Sequence, residues 1–453
     1  MKKVLILVYD FPPYVSVGGL RPHAWYKYLK EFGLEPIVIT RQWENVHGNH
    51  LDYISKGSSD QAIIEETEFG IIIKAPYQPN LANRLMLKYG ENKFSFIRKS
   101  ISAFYEFIQF LFPIGPKSSI YKTAKQYLKS NRVDVIIATG DPFVLFSYAA
   151  KLSEQYKTPW IADYRDPWSQ SFSAKKRDFQ RVIDYVFESY FVKSASSIVT
   201  VDKLFKLKLA QIFPKKEINI ISNGFDPKNI NDALEISQHS ELLTFSFIGT
   251  IYLWHPFESL LKGFSNFILK HPDSKISIKF YGINKLEVYK STANDKFPEL
   301  IDKIFFIQQI PNAELLKILS KDNVLILFNY FQFTGTKIFD YLGIRRKILL
   351  CFEDDKEAKK LKDRYYFKNI EIEDCPQIDI INQTNSGIIV KDSEHLLSVL
   401  EELYTEFQAT GQIVCDSHGV EQYSRKIQVE RLAELIKGIE PLQFRAGSDL
   451  PYQ

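Results

Sequence analysis

The segment 163–168 reads Asp-Tyr-Arg-Asp-Pro-Trp and directly follows a short apolar run. Two carboxylates and a guanidinium this close to an aromatic ring are suited to binding a sugar. The ring covers the C–H face of the sugar, and the carboxylates accept hydrogen bonds from its hydroxyls. Asp141 follows the preceding apolar run and adds a third acidic side chain. A buried Asp–Arg pair that only braces the loop is the alternative.

Two glycine-containing segments have the composition of anion-binding loops. Gly18 and Gly19 begin a predicted helix after the first apolar run, where glycine lets the backbone approach a ligand and free N–H groups face an anion. The segment 335–343 places Lys337 at the start of another helix, where a cation is disfavoured unless an anion binds. The alternatives are a tight turn without a ligand and an ordinary amphipathic helix.

Short apolar runs alternate with helical patterns along the chain, which is typical of parallel α/β sheets. The predicted strands lie at 4–8, 36–40, 71–74, 133–138, 160–162, 197–200, 218–221, 244–248, 275–281, 303–307, 323–328, 347–351 and 387–390. The predicted helices lie at 20–32, 97–112, 117–130, 142–156, 173–194, 202–213, 256–270, 311–320, 335–343, 354–364, 392–408 and 420–438.

A polar segment without apolar periodicity interrupts this alternation and predicts a boundary between two domains. The predicted division is an N-terminal domain at 1–225, a linker at 226–242 and a C-terminal domain at 243–419. The last helix, 420–438, is expected to pack back on the N-terminal domain. Residues 439–453 form a polar tail that is expected to fray.

These motifs, in this order, resemble family 4 glycosyltransferases of the GT-B fold. The segment 163–168 closely resembles the Asp-x-Arg-Asp-Pro-Trp signature of a bacterial branch that makes surface polysaccharides. The resemblance implies two Rossmann-like, doubly wound parallel-sheet domains that face each other across a cleft. It implies a UDP- or GDP-sugar bound by the C-terminal domain, a saccharide acceptor bound by the N-terminal domain, retention of anomeric configuration, and neither a cofactor nor a metal. The basic, aromatic stretch 84–132 adds the hypothesis that the acceptor is lipid-linked.

The resemblance also implies roles for individual residues. The catalytic candidates, expected to face the donor sugar or the acceptor hydroxyl, are Asp141, Asp163 and Asp166. The donor-binding candidates are Gly18, Gly19, Arg165, Gly249, Thr250, Gln332, Gly335, Thr336, Lys337 and Asp340. Lys337 would bind the diphosphate and Asp340 the ribose hydroxyls.

The sequence departs from the family pattern at several of these places. Related enzymes carry a histidine near Asp141, and this chain has none there; Gln332 stands where the family has a glutamate. His255 and Lys262 stand where the family has an arginine and a lysine, with a solvated helix start as the alternative for His255. These departures leave open a catalytically reduced sugar-nucleotide-binding or scaffold protein, or an enzyme of other chemistry on the same fold, such as an epimerase.

Composition and charge set further bounds. The formal net charge of +4 does not predict nucleic-acid binding, and three widely spaced cysteines favour a reducing compartment, the cytoplasm. The acidic run 353–355 is expected to be helix N-terminal charge and not a metal site. The stretch 84–132 has a local net charge of +8, because ten Lys and Arg face two Glu, and it contains many aromatic residues. This pattern predicts peripheral binding to an anionic membrane, such as the inner face of the plasma membrane; helices that pack only on the core are the alternative.

Overall fold

The computed structural model describes residues 1–44, 51–171, 178–365 and 375–441. Contacts divide the chain into two units, Met1–Ser222 with Gln428–Gln453 and Asn223–Ile427. The predicted tail from 442 onward and the start of the predicted helix at 173 lie outside the described residues. No helix in the described part of the chain is long and apolar enough to cross a membrane.

The first unit is built on an 8-stranded sheet with the order β3-β4-β2-β1-β5-β6-β7-β8. Its strands are β1 (Lys2–Leu7), β2 (Leu34–Arg41), β3 (Ile63–Glu66), β4 (Ile71–Ala75), β5 (Val135–Gly140), β6 (Trp160–Tyr164), β7 (Ser197–Thr200) and β8 (Ile218–Ile220). Its α-helices within Met1–Ser222 are α1 (Val17–Tyr28), α2 (Leu81–Tyr89), α3 (Ser95–Leu111), α4 (Ser118–Ser130), α5 (Val144–Tyr156), α6 (Asp178–Val192) and α7 (Lys203–Ile212). All strand pairs are parallel except β3 with β4.

The second unit is built on a 6-stranded, fully parallel sheet with the order β11-β10-β9-β12-β13-β14. Its strands are β9 (Leu243–Ile248), β10 (Ile276–Tyr281), β11 (Ile304–Ile307), β12 (Val324–Phe328), β13 (Lys347–Cys351) and β14 (Gly387–Val390). Its helices are α8 (Pro227–Leu234), α9 (Phe257–Lys270), α10 (Leu286–Lys296), α11 (Asn312–Lys321), α12 (Lys337–Ile344), α13 (Lys356–Tyr365), α14 (Pro376–Thr384) and α15 (Ser393–Thr410). The last helix, α16 (Arg425–Gly438), contributes its residues from Gln428 onward to the first unit.

Each sheet is buried on both faces, which explains why its strands are nearly continuous apolar runs. In β1, Leu5 and Leu7 pack in one core layer, whereas Val4 and Ile6 pack in the layer on the opposite face. That second layer contains α1 and the side chains Val429 and Leu432 of α16. The second sheet is covered in the same way by two further core layers.

Both sheets reverse their strand order at one point, between β1 and β5 and between β9 and β12. This is the doubly wound, Rossmann-like arrangement, and the prediction of two such sheets is confirmed. In such sheets ligands bind in the crevice at the carboxyl ends of the strands that flank the reversal. The loops after β1, β5, β9 and β12 are therefore the places to look for a site.

The structure differs from the predicted elements in a few places. The segment predicted as a linker contains α8, which begins at Pro227 with Asp226 as its N-cap and buries Ile230 and Ala233. Helices α2, α10 and α14 and the edge strand β3 were also not predicted. Residues Val420–Tyr423, predicted as the start of the last helix, form a separate short 3-10 turn.

Candidate functional site

The first unit gathers four charged side chains beside its strand-order reversal. Asp10 follows β1, Asp141 follows β5, and Arg165 and Asp166 follow β6. The Arg165 guanidinium donates from Nε to the Gly140 carbonyl at 2.8 Å and from Nη2 to the Asp141 carbonyl at 2.5 Å. We call Arg165, Asp10, Asp141 and Asp166 the Arg165 cluster, because the charges of Arg165 and Asp141 both influence the carboxyls of Asp10 and Asp166.

Two carboxyl groups of the Arg165 cluster, those of Asp166 and Asp10, have raised pKa values. Asp166 is exposed, yet many protein atoms surround its carboxyl. Desolvation raises its pKa to about 6, with the Arg165 charge opposing the shift and the Asp141 charge adding to it. Desolvation also raises the pKa of Asp10, against the hydrogen bond from Ser16 and the Arg165 charge. An accessible carboxyl that titrates near pH 6 is suited to proton transfer with a hydroxyl.

Asp163, the third predicted catalytic carboxylate, lies apart from this cluster. Its side chain is 1% exposed and pairs with Arg21, whose Nε and Nη2 donate to Oδ1 at 3.0 and 2.9 Å. The Thr139 hydroxyl donates to Oδ2 at 2.8 Å. Arg21 also donates to the carbonyls of Ile221 and Ser222. Both carboxylate oxygens are thus engaged below the surface, the buried Asp–Arg brace that the sequence left as the alternative.

The two glycines of α1 are explained by close contacts. A Cβ on Gly18 would lie 2.0 Å from Nη1 of Arg165, and one on Gly19 would lie 3.1 Å from the Asp10 carbonyl oxygen. Their N–H groups are not free, because that of Gly18 donates to Ser16 Oγ and that of Gly19 to the Ser16 carbonyl, both at 3.1 Å. The expectation of free N–H groups here was wrong. Gly18 makes room for Arg165, and Gly19 makes room for the backbone of Asp10 and Phe11.

Aromatic rings next to Asp10 were not predicted as part of a site. Tyr14 stacks on Trp43 with ring centroids 4.0 Å apart, and Tyr53 lies 6.0 Å from Tyr14. Nearby Asp10 contributes to the raised pKa of Tyr14, after desolvation. One Asp10 oxygen, Oδ1, is buried without a hydrogen-bond partner. Stacked rings beside a carboxylate are suited to sugar binding.

The second unit places a lysine beside its own strand-order reversal. Lys337, the first residue of α12, donates from Nζ to the Thr250 carbonyl at 3.0 Å and lies 4.3 Å from the centroid of the Phe247 ring. A Cβ on Gly249 would lie 3.3 Å from the Lys337 Cε, and Gly249 has a φ of +69°. Desolvation lowers the pKa of Lys337 to about 7. Within the described residues, no carboxylate oxygen lies within 4.0 Å of this amine.

His255 completes this arrangement, and the alternative of a solvated helix start does not hold for it. It is 3% exposed, and its Nδ1 accepts from the Tyr252 N–H at 3.2 Å, which places the proton of the neutral ring on Nε2. Nε2 is buried without a partner. Burial first, and then the Lys337 charge, lower the pKa of His255 well below its ordinary value. We call Lys337, Gly249, Thr250 and His255 the Lys337 site.

The remaining predicted donor residues are distributed around α12. Thr336 is its N-cap but makes no side-chain capping hydrogen bond, and Gly335 adopts a φ of +69°. Gln332 is half-buried in the preceding loop. Asp340 lies in the first turn of α12; desolvation raises its pKa, while the Arg425 charge lowers it. Lys262 is exposed on α9.

Asp355, the last residue of the acidic run 353–355, has a structural role. Asp355 Oδ1 accepts from the N–H of Ala358, in the first turn of α13, and from the Ser259 hydroxyl, both at 2.9 Å. Across the described ranges, no group of three or more His, Cys, Asp or Glu side chains is arranged to hold a metal ion.

Comparison with known proteins identifies the fold. No protein-family model matches the sequence. No curated protein matches it either. Among solved structures, a sucrose-phosphate synthase from Thermosynechococcus elongatus is similar, with 12% identity, 96% and 98% of the two chains covered and a TM-score of 0.57. A UDP-forming α,α-trehalose-phosphate synthase from Burkholderia xenovorans has 11% identity, 97% and 99% coverage and a TM-score of 0.58. An E. coli trehalose-6-phosphate structure bound with UDP-2-fluoro glucose has 11% identity, 97% and 100% coverage and a TM-score of 0.56. The chain has the GT-B fold, with two Rossmann-like units.

Proposed function

We propose that this protein is a glycosyltransferase that moves a sugar from a UDP- or GDP-sugar to a saccharide or lipid-linked acceptor during surface polysaccharide synthesis. The second unit binds the nucleotide sugar, and the first unit binds the acceptor. The transfer proceeds with retention of configuration and requires no metal or other cofactor. Support comes from the shared fold and the 163–168 motif, and the Lys337 site carries the proposal.

The Lys337 site is suited to a diphosphate. Among the described residues its amine contacts one carbonyl and one aromatic ring, and it stands at the N-terminus of α12, where the helix dipole favours an anion. The buried Nε2–H of His255 is a second donor without an acceptor. As the glycosidic bond breaks, negative charge grows on the leaving diphosphate, and preorganised donors of this kind stabilise it.

The Arg165 cluster supplies the complementary chemistry for an acceptor. A hydroxyl that attacks the sugar must be oriented and must lose a proton. Asp166 is accessible and titrates near pH 6, so above that pH it can accept a hydrogen bond or a proton. Asp141 is also exposed, and the Tyr14 ring can cover a sugar face.

A donor screen tests the proposal. Purified protein is mixed with UDP-, GDP- and ADP-sugars, and thermal unfolding and sugar release are measured with and without saccharide acceptors. We expect at least one UDP- or GDP-sugar to raise the unfolding temperature, because a ligand that binds only the folded state stabilises it. We also expect release of the nucleoside diphosphate and transfer of the sugar to an acceptor.

Other outcomes of the same screen separate the alternatives. Stabilisation by a nucleotide sugar without any turnover would identify a binding protein on this fold. Conversion of the donor into another nucleotide sugar would identify an epimerase. No stabilisation by any nucleotide sugar would contradict the assignment of the Lys337 site.

A further inference from the structure

Helix α6 has apolar side chains on two opposite sides. Its buried side, with Phe191 and Val192, packs on the core of the first unit. Its outer side carries side chains that are 57–62% exposed and recur at helical spacing: Phe179, Val182, Val186 and Tyr190. A helix that only packs on a core has a polar outer side. Packing of α6 on the core of its own unit therefore does not explain why this outer stripe is apolar.

Helix α3 presents a second exposed apolar stripe next to α6. The two helices touch through aromatic rings: the Phe187 centroid lies 5.6 Å from that of Phe107 and 4.8 Å from that of Phe110. The outer apolar side chains of α3 are 45–82% exposed and are Phe96, Ile97, Phe104, Phe107 and Leu111. We call the two stripes together the α3–α6 face. Large apolar patches exposed on soluble proteins mark interaction sites.

Cations border the α3–α6 face on the side of α2 and the α2–α3 connection. The exposed ones are Arg84, Lys88, Lys93 and Lys99, and Arg98 is partly exposed. From 81 to 115 these five cations face two acidic residues, Glu91 and Glu106. A second copy of the chain on this face would bring two such basic borders together, which is unfavourable. An anionic surface matches the border and lets the apolar side chains leave water.

We propose that the α3–α6 face binds the surface of an anionic lipid bilayer. Its apolar side chains enter the boundary between headgroups and acyl chains, and the bordering cations contact the headgroup phosphates. The sequence predicted membrane contact only within 84–132; α6 lies outside that range and adds its four exposed apolar side chains to the five of α3.

The same two helices hold the loop that carries Asp166. Glu188, on the buried side of α6, accepts from the Tyr164 hydroxyl and from the Ser169 N–H, both at 2.9 Å. Trp168 stacks on Phe110 of α3 with centroids 5.2 Å apart. A bilayer bound at the α3–α6 face is thus mechanically connected to the Arg165 cluster. This connection fits an acceptor that is linked to a lipid. That acceptor assignment rests on the proposed function, whereas the proposal that the face binds a bilayer is independent of it.

Vesicle flotation tests the proposal on the full-length protein. Vesicles of phosphatidylcholine alone are compared with vesicles that also contain phosphatidylglycerol, at low and high salt. We expect flotation with the anionic vesicles at low salt and a smaller floated fraction at high salt, because salt screens the cations. No flotation with anionic vesicles at low salt would overturn the proposal.

A variant pair assigns the contact to the face. The double variant Val182→Asp/Val186→Asp places two charges on the outer stripe, and we expect the affinity for anionic vesicles to fall by about tenfold or more. The control Leu269→Asp changes a 67% exposed residue of α9 in the second unit and should leave flotation unchanged. Unchanged flotation of the double variant, with wild-type thermal unfolding, would overturn the proposal.

Light scattering without lipid measures whether the α3–α6 face binds a second copy of the chain instead. A dimer of the wild type that the double variant loses would assign the face to a second copy of the chain and overturn lipid binding. None of these measurements depends on turnover, so they remain informative if no donor is found. Once a donor is identified, turnover can also be measured. The double variant should then keep turnover on a water-soluble acceptor and lose the stimulation of turnover by vesicles.

Discussion

The Arg165 cluster and the Lys337 site stand at equivalent places in two similar sheets but have opposite charge balances. In the first unit three carboxyl groups and one guanidinium lie close enough to interact electrostatically, and the pKa values of Asp166 and Asp10 are raised. In the second unit a half-buried amine has no carboxylate within 4.0 Å among the described residues, and its pKa is lowered. The first site has carboxyl groups with raised pKa values, and the second has an amine that lacks a carboxylate partner within the part of the chain that the structure describes.

This difference shows how one sheet topology serves two kinds of ligand. The strand-order reversal supplies the crevice in both units. The residues that follow the strands then decide whether the crevice favours hydroxyl groups or an anion. The comparison assigns a role to individual side chains, and each role can be tested by substitution.

The largest effect is expected at Asp163, a predicted catalytic residue that the structure pairs with the buried Arg21. Asp163→Ala leaves the buried Arg21 charge without its partner, so we expect the free energy of unfolding to fall by about 3–5 kcal/mol. Urea denaturation measures it. Removing both charges in Asp163→Ala/Arg21→Met should restore part of the loss. A stable but inactive Asp163→Ala protein would instead indicate that Asp163 is a catalytic residue.

Asp166 is expected to act in the reaction with little effect on folding. Asp166→Asn should lower kcat by about 100-fold, the order of a lost general acid–base group, while the urea midpoint stays within error. In the wild type kcat/KM should fall as the pH drops below about 6, because the carboxyl then becomes protonated. That acidic limb should disappear in Asp166→Asn.

A control acid separates this effect from a general loss of charge. Asp232→Asn removes an acidic side chain that is 69% exposed and pairs only with Lys317 at the surface. Its kcat and pH profile should match those of the wild type. If Asp166→Asn keeps wild-type kcat with a raised KM, the residue binds the acceptor and does not transfer protons.

Much of the fold could be predicted because buried parallel strands leave a clear sequence signal. Every predicted strand overlaps an observed one. The missed elements lack that signal: β3 is an edge strand whose residues alternate between partly buried and exposed, and α10 buries only Ala293. Helix α8 was hidden in a polar segment because it packs only one side, through Ile230 and Ala233, on the rest of its unit.

The candidate site was harder to predict because roles depend on partners distant in sequence. Asp163 and Asp166 lie in one motif, yet β6 continues to Tyr164 and buries Asp163 against Arg21, 142 residues away. Strand prediction stopped at 162 and gave no sign of this. Asp10 carried a signal that was overlooked, an acidic residue directly after the first strand. His255 is buried by rings of distant residues such as Phe328 and Tyr330.

Lys337 tests the other side of the comparison. Lys337→Ala should weaken nucleotide-sugar binding by about 1.5–3 kcal/mol, roughly 10- to 150-fold, because a charge-assisted contact to the diphosphate is lost. Isothermal titration calorimetry with the donor found in the screen measures it. Lys262→Ala, which removes an exposed lysine of α9, is the matched control and should bind as the wild type does. Equal losses in both variants would contradict a specific Lys337 site.

The smallest effect follows from the lowered pKa of Lys337. Only the protonated amine attracts a diphosphate, and with a pKa of about 7 it loses its proton as the pH rises from 6 to 8. Donor affinity should therefore fall by about tenfold over this range, with uptake of close to one proton on binding at pH 8. Lys337→Arg keeps its charge at both pH values, so its affinity should be nearly constant. A wild-type affinity that does not change between pH 6 and 8 would mean that Lys337 is already fully charged in the free protein. The two sites would then differ in their charged groups and not in how they bind protons.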